Sequence, residues 1–218
     1  MINKPYQLVV FDWEGTLSDS LGQVLHTLTD EADKLGFGRI ELYSAKKYVD
    51  LGLFQAIKKL FPQLSQEQHQ TLMDAVQHSL VTHYTEVWLI PGAKELIQQL
   101  QEAGIHLAIA TNKGQHSLQK ALQLCGLEAY FKVTRSAGQT PAKPCPQMLE
   151  EIMEAFGCTA STTLMIGDST SDMEMAKSIQ VDAIGLDFYN QQEQGLQAAG
   201  AMKVFGSYSQ LAHFLGFK

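Results

Sequence analysis

Hydrophobic and polar positions fall into two regimes along this chain. Leu8, Val9, Val10 and Phe11 form a continuous apolar run, the pattern of a strand buried on both faces of a parallel sheet. From Gly15 to about Thr85 the pattern is helical throughout. Leu21, Val24, Leu25, Leu28, Ala32 and Leu35 recur at helical spacing up to a Gly36-Phe37-Gly38 stop. Leu53, Phe54, Ile57, Leu60 and Phe61 make a second stripe ended by Pro62, and Leu72, Ala75, Val76, Ser79, Leu80 and His83 make a third. From Pro91-Gly92-Ala93 onward helix and strand alternate. A helix through Leu96, Ile97 and Leu100 stops at Gly104, and a strand covers Ile105 to Ala110. Further strands are predicted near Lys132 to Thr134, Thr163 to Ile166, Val181 to Gly185 and Met202 to Val204, with helices such as Gln115 to Leu124 and Met148 to Phe156 between them. This βαβ rhythm predicts an α/β fold, a doubly wound parallel sheet covered on both faces. A small helical domain over residues 15–85 interrupts it, leaving residues 1–14 and 86–218 as the core.

Composition narrows the function. With 218 residues, 45% of them hydrophobic and 18% charged, the chain can bury a full core and suits neither disorder nor a fibrous fold. No apolar stretch approaches the roughly 20 residues that span a bilayer, and the N-terminal segment lacks a signal-peptide pattern, so a cytoplasmic protein without a membrane partner is expected. Cys125, Cys145 and Cys158 form no Cys-x-x-Cys pair and indicate neither a disulfide framework nor a zinc site. A formal charge of −7 argues against nucleic acid and for a small-molecule partner. A monomer or a homodimer fits equally.

Candidate chemistry gathers at four strand ends, where open α/β sheets place reactive groups. Asp12 ends the first strand, with Glu14 two residues later; an Asp here also serves as a helix cap. The second strand ends in Thr111-Asn112, a hydroxyl and an amide at a junction whose exposed N–H groups favour anions, although Thr-Asn is ordinary turn chemistry too. Lys143 opens Lys143-Pro144-Cys145-Pro146, where two prolines stiffen the loop and hold the lysine, a residue more often solvated at a surface. Asp168 follows the strand through Ile166 directly, and Asp172 lies one helical turn on. Three clustered carboxylates exceed what one lysine can neutralise, which calls for a hard divalent cation; magnesium suits oxygen-only ligands.

In order and spacing, Asp12-Trp13-Glu14-Gly15-Thr16-Leu17-Ser18-Asp19-Ser20, Thr111-Asn112, Lys143-Pro144-Cys145-Pro146 and Gly167-Asp168 to Asp172 resemble the motifs of the haloacid dehalogenase-like (HAD) hydrolase superfamily, and most nearly its phosphoglycolate phosphatase-like branch with a helical cap. The resemblance implies a Rossmann-like core and a Mg2+-dependent phosphatase of small phosphorylated metabolites. It makes Asp12 a phosphoryl-accepting nucleophile and metal ligand, and Glu14 a general acid/base whose backbone carbonyl also reaches the metal. Thr111 and Asn112 then bind phosphate, Lys143 neutralises charge at nucleophile and substrate, Asp168 binds the metal, and Asp172 acts through water or Lys143. The inserted helices become a lid over the site.

One position departs from the pattern. The phosphatase branch has a second Asp where this chain has Glu14, one methylene longer. A misplacement of about 1 Å can cost on the order of 10²-fold in rate, so turnover is expected to be slow unless the surroundings compensate, and Glu14→Asp is expected to speed it. Trp13 either walls the substrate pocket or packs beneath the cap. Arg39, Lys46, Lys47, Lys58 and Lys59 concentrate positive charge in the insertion, as a solvated helix face or as contacts to an anionic tail, and Tyr48 to Phe54 fall where capped relatives carry a specificity loop. Competing readings are a catalytically weakened phosphate-binding or regulatory module, a phosphomutase, a phosphonatase, and a dehalogenase, which needs no metal.

Overall fold

The computed structural model describes residues 6–40, 53–82, 86–189 and 192–217. The chain divides into two compact units, Met1–Ser18 with Leu89–Lys218, and Asp19–Trp88. The first unit holds six parallel strands: β1 (Leu8–Phe11), β2 (His106–Thr111), β3 (Val133–Ser136), β4 (Thr163–Gly167), β5 (Asp182–Leu186) and β6 (Lys203–Phe205). Their order is β3-β2-β1-β4-β5-β6, so the expected doubly wound parallel sheet is present. β1 pairs with β2 in the register Val10↔Ala108 and with β4 in the register Val10↔Met165. The chain reverses its direction of travel across the sheet here, and the carboxyl ends of β1, β2 and β4 meet at the crevice this opens.

Every residue of β1 is buried, as a central strand covered on both faces requires. Side chains alternate between the faces. Leu8 and Val10 join Ala108, Ala110, Met165, Met148 and Ile152 in one core layer, while Phe11 meets Phe131 edge-on at 6.2 Å. Between the strands lie α4 (Ala93–Glu102), α5 (Gln115–Cys125), α6 (Gln147–Phe156), α7 (Thr170–Ser178) and α8 (Glu193–Ala199), with α9 (Tyr208–Leu215) after β6, all following the helical unit's α1 (Ser20–Lys34), α2 (Leu53–Leu60) and α3 (Gln66–Thr82). The helical unit has its own core: Leu28 and Ala32 of α1, Ile57 of α2, Phe61, and Leu72 and Val76 of α3. These are the stripes legible in the sequence.

Helix does not begin at Gly15, as its pattern predicts. Trp13 to Ser18 instead form a closed loop in which the N–H groups of Leu17 and Ser18 both donate to the Trp13 carbonyl and that of Gly15 donates to Ser18. Gly15 takes a left-handed φ of +74°, which an L side chain adopts only with strain. The helix waits for Asp19, whose Oδ1 accepts from the Gly22 N–H at 2.8 Å and caps α1. The outgoing and returning chains are laced together, Asp19 N–H to the Trp88 carbonyl and Ile90 N–H to that of Leu17. Lys46, Lys47 and most of the Tyr48–Phe54 stretch lie outside the described residues. Arg39 pairs with Asp33 at 2.9 Å, and Lys58 lies over the Phe54 ring.

Candidate active site

Strand pairing places the acids. The Asp12 N–H extends the ladder past β1 by donating to the Ile166 carbonyl at 2.9 Å, which sets Asp12 beside the end of β4, two residues before Asp168. Asp172 follows in the first turn of α7, where it and Ser169 form a reciprocal cap: the Ser169 N–H and Oγ donate to Asp172 Oδ2, and Ser169 Oγ accepts from the Asp172 N–H. Asp12, Asp168 and Asp172 each offer a carboxylate oxygen within 4.8 Å of the others.

Lys143 enters this cluster from the loop before α6. Its side chain is 2% exposed; Nζ donates to Asp172 Oδ1 at 2.6 Å and to the Ala110 carbonyl at 3.2 Å, and lies 2.6 Å from Asp12 Oδ1 as an ion pair. Burial works against the ammonium charge, but Asp12 and Asp172 outweigh it and hold the lysine above its ordinary range. Asn112 fixes the loop from below: its Oδ1 accepts from the Lys143 backbone N–H at 2.9 Å. Thr111, buried at the end of β2, accepts at Oγ1 from the Lys113 N–H at 3.2 Å. Both side chains therefore organise the backbone at the end of β2 and in the loop before α6.

The glycines of the two acidic motifs make room for the carboxylates. A Cβ on Gly15 would lie 2.0 Å from Asp168 Oδ2, and one on Gly167 would lie 2.4 Å from the Asp172 carboxylate. Thr16 completes the inner ring by donating from Oγ1 to Asp168 Oδ1 at 3.2 Å, while its carbonyl accepts from the buried Tyr208 hydroxyl at 2.8 Å.

Glu14 stands apart from the three clustered acids. Its Oε1 pairs with Lys113 Nζ at 2.6 Å. Sequence reasoning missed Lys113, Thr16 and Tyr208. Their partners lie 99, 152 and 192 residues away along the chain, and no local spacing signals such contacts. Trp13, 1% exposed, is a packed residue rather than an open pocket wall.

This assembly matches a known family over residues 9–186, the haloacid dehalogenase-like hydrolases. The chain belongs to that family. Curated relatives of this HAD hydrolase include the phosphoglycolate phosphatases of Agrobacterium fabrum, 29% identical over 196 residues covering 86% of this chain and 84% of that protein, and of Vibrio parahaemolyticus, 26% identical over 220 residues covering 97% and 96%. A solved HAD family hydrolase from Deinococcus radiodurans R1, with bound phosphate and sodium, shares the fold at a TM-score of 0.74 and 22% identity, covering 98% of this chain and 96% of that one.

The charge balance of the cluster fits a cation. Burial first, then Asp12 and Asp172, push the Asp168 carboxyl up to about 7, against the Thr16 hydrogen bond and Lys143. Burial and Asp172 push Asp12 up to about 6, against Lys143. Both oxygens of Asp172 already have donors, whereas Asp168 accepts from Thr16 at one oxygen, so Asp12 and Asp168 are the acids left to bind a metal ion. The donors are all oxygen, the set that hard divalent cations prefer.

A pH signature follows from these shifts. Unfolded, both aspartates titrate near 4. The folded, metal-free protein therefore binds more protons than the unfolded chain between about pH 4 and 7, and these two groups make stability fall as pH rises through that window. Melting curves in chelator across pH 4.5 to 8 should show that loss. Added Mg2+ should raise Tm more at pH 8 than at pH 5, because at low pH protons compete for the same oxygens.

Proposed function

We propose that this HAD hydrolase is a Mg2+-dependent phosphatase of small phosphomonoesters of the phosphoglycolate kind, acting through an aspartyl phosphate on Asp12. The observation that carries the reading is the ion pair between Asp12 and Lys143 inside a three-carboxylate cluster at the sheet's switch point. Lys143 keeps Asp12 a carboxylate and holds Oδ1, and its remaining bonds to Asp172 and Ala110 stop it from following the substrate away. Asp12 attacks phosphorus as the bond to the leaving alkoxide breaks, and Glu14, as the acid, gives that oxygen its proton. Glu14, now the base, takes a proton from water as the water attacks phosphorus. The Asp12–phosphorus bond breaks and inorganic phosphate leaves.

Thr111 and the backbone N–H of Asn112 hold the transferring oxygens, with Lys143 beside them. Asp12, Asp168 and the Glu14 carbonyl would hold Mg2+, which when bound supplies positive charge against the phosphate. The helical unit enters the chain seven residues after Asp12, and in this reading it restricts the substrates to small esters. The expected setting is cytoplasmic; no helix among the described residues is long and apolar enough to cross a membrane.

Assaying a panel of small phosphomonoesters with and without Mg2+ tests the activity, and two variants test the metal set. Asp168→Ala should weaken Mg2+ activation at least about tenfold, while Asp172→Ala should change it by less than about threefold and lower Tm by stripping Lys143 of a partner. Equal Mg2+ affinity in wild type and Asp168→Ala would remove Asp168 from the metal site. Phosphate binding without turnover across the panel would favour the silent-module reading.

A further inference from the structure

Glu14 and Lys113 form an ion pair that stability does not account for. Their side chains are 38% and 27% exposed, and pairs this open contribute little to stability. The pair is nonetheless well fixed. The Lys113 N–H is tied to Thr111 Oγ1 at the end of β2, and Nζ reaches Glu14 Oε1 at 2.6 Å. The other oxygen, Glu14 Oε2, is buried with no hydrogen-bond partner among the described residues. One oxygen is clamped and its twin has no donor among the described residues. A carboxylate resting on the surface would instead share both oxygens with water.

We propose that Lys113 is a positioning residue for Glu14: it fixes Oε1 so that Oε2 is the atom that gives and takes the proton. This rests on the acid/base role of Glu14 proposed above. The longer glutamate arm has one more rotatable bond than aspartate and would otherwise sweep a wider volume. A cation anchored to the neighbouring strand end removes that freedom at the atom where it matters. The Lys113–Glu14 pair thus supplies the compensation that the extra methylene demands. It also reverses the expectation from sequence for Glu14→Asp, because the shorter side chain falls short of Lys113.

Steady-state kinetics on the intact chain with its best small phosphomonoester and Mg2+ tests this. Lys113→Met should lower kcat about 10- to 100-fold with KM changed by less than about threefold, and Lys113→Arg should recover most of the loss. In a Glu14→Gln background, Lys113→Met should cost no more than about twofold further, because the two side chains act as one unit. Glu14→Asp should be slower than wild type. A tenfold or greater rise in KM with kcat retained would make Lys113 a substrate contact and overturn the proposal, as would an undiminished kcat loss in the Glu14→Gln background. Crystal structures of wild type and Lys113→Met decide the point without turnover. Glu14 is expected to leave its place in the variant, and an unmoved Glu14 carboxylate overturns the proposal. If Asp12→Asn keeps full activity, the aspartyl-phosphate reading fails, and the crystallographic comparison still judges Lys113.

Discussion

Asp12→Asn is expected to lower kcat at least about 10⁴-fold with no loss of thermal stability, the largest effect on rate of any single substitution here. The amide keeps the size of the carboxylate but cannot form a bond to phosphorus at a useful rate. Stability should hold because the charged form of Asp12 is a burden on the metal-free fold: burial and Asp172 disfavour it and outweigh Lys143 and the Trp13 backbone hydrogen bond, which favour it. The Asn variant relieves that crowding and leaves Lys143 paired with Asp172 and Ala110. Tm in chelator should therefore stay level or rise, while Mg2+ should stabilise the variant less than it does wild type. Appreciable Mg2+-dependent turnover by a clean preparation of Asp12→Asn would end the nucleophile assignment.

Lys143→Met should have the largest effect on stability. Removing one partner from a buried ion pair costs about 3–5 kcal/mol, because the charges left behind have neither water nor a counterion. For a chain of this size that corresponds to about 6–20 °C in Tm. The loss should be smaller at pH 5 than at pH 8, since Asp12 and Asp168 can shed their repulsion by binding protons once pH falls below their raised pKa values. Mg2+ should return part of the lost stability but little of the activity. A variant that melts with wild type in chelator at pH 8 would contradict the view of Lys143 as the cluster's counterion. Circular dichroism melts at the two pH values, with and without Mg2+, measure all of this.

Much of this site was legible because its residues sit at strand ends, and strand ends are marked by the change from apolar to polar. β1, β2 and β4 are buried along almost their whole length, so their sequences are apolar and Asp12, Thr111 and Asp168 stand out as the first polar residues in reach of the crevice. β3 and β6 are partly exposed and carry Arg135 and Lys203, so their bounds differ by a residue or two from those the pattern predicts. The loop before α1 is not helical although Leu17 lies at helical spacing from Leu21. The glycine at +74° and the Asp19 cap decide the matter locally. Asn112 is expected to serve phosphate through its backbone N–H, and its side chain holds the Lys143 loop, a partner 31 residues away that no local spacing signals.

The position of β1 bears on how the chain comes to life on the ribosome. Although made first, it sits in the middle of the sheet, between β2 and β4. At about 5–20 residues per second, Leu8–Phe11 wait on the order of 5–20 seconds for β2 and longer for β4. During that interval an apolar strand that binds nothing of its own chain is a target for chaperones and for other nascent chains. The loop that carries Glu14 and Thr16 waits longest, since Tyr208 of the last helix secures its backbone. Translation that stalls after Asp172 would leave every proposed catalytic side chain synthesised while the Glu14 loop still lacks that anchor.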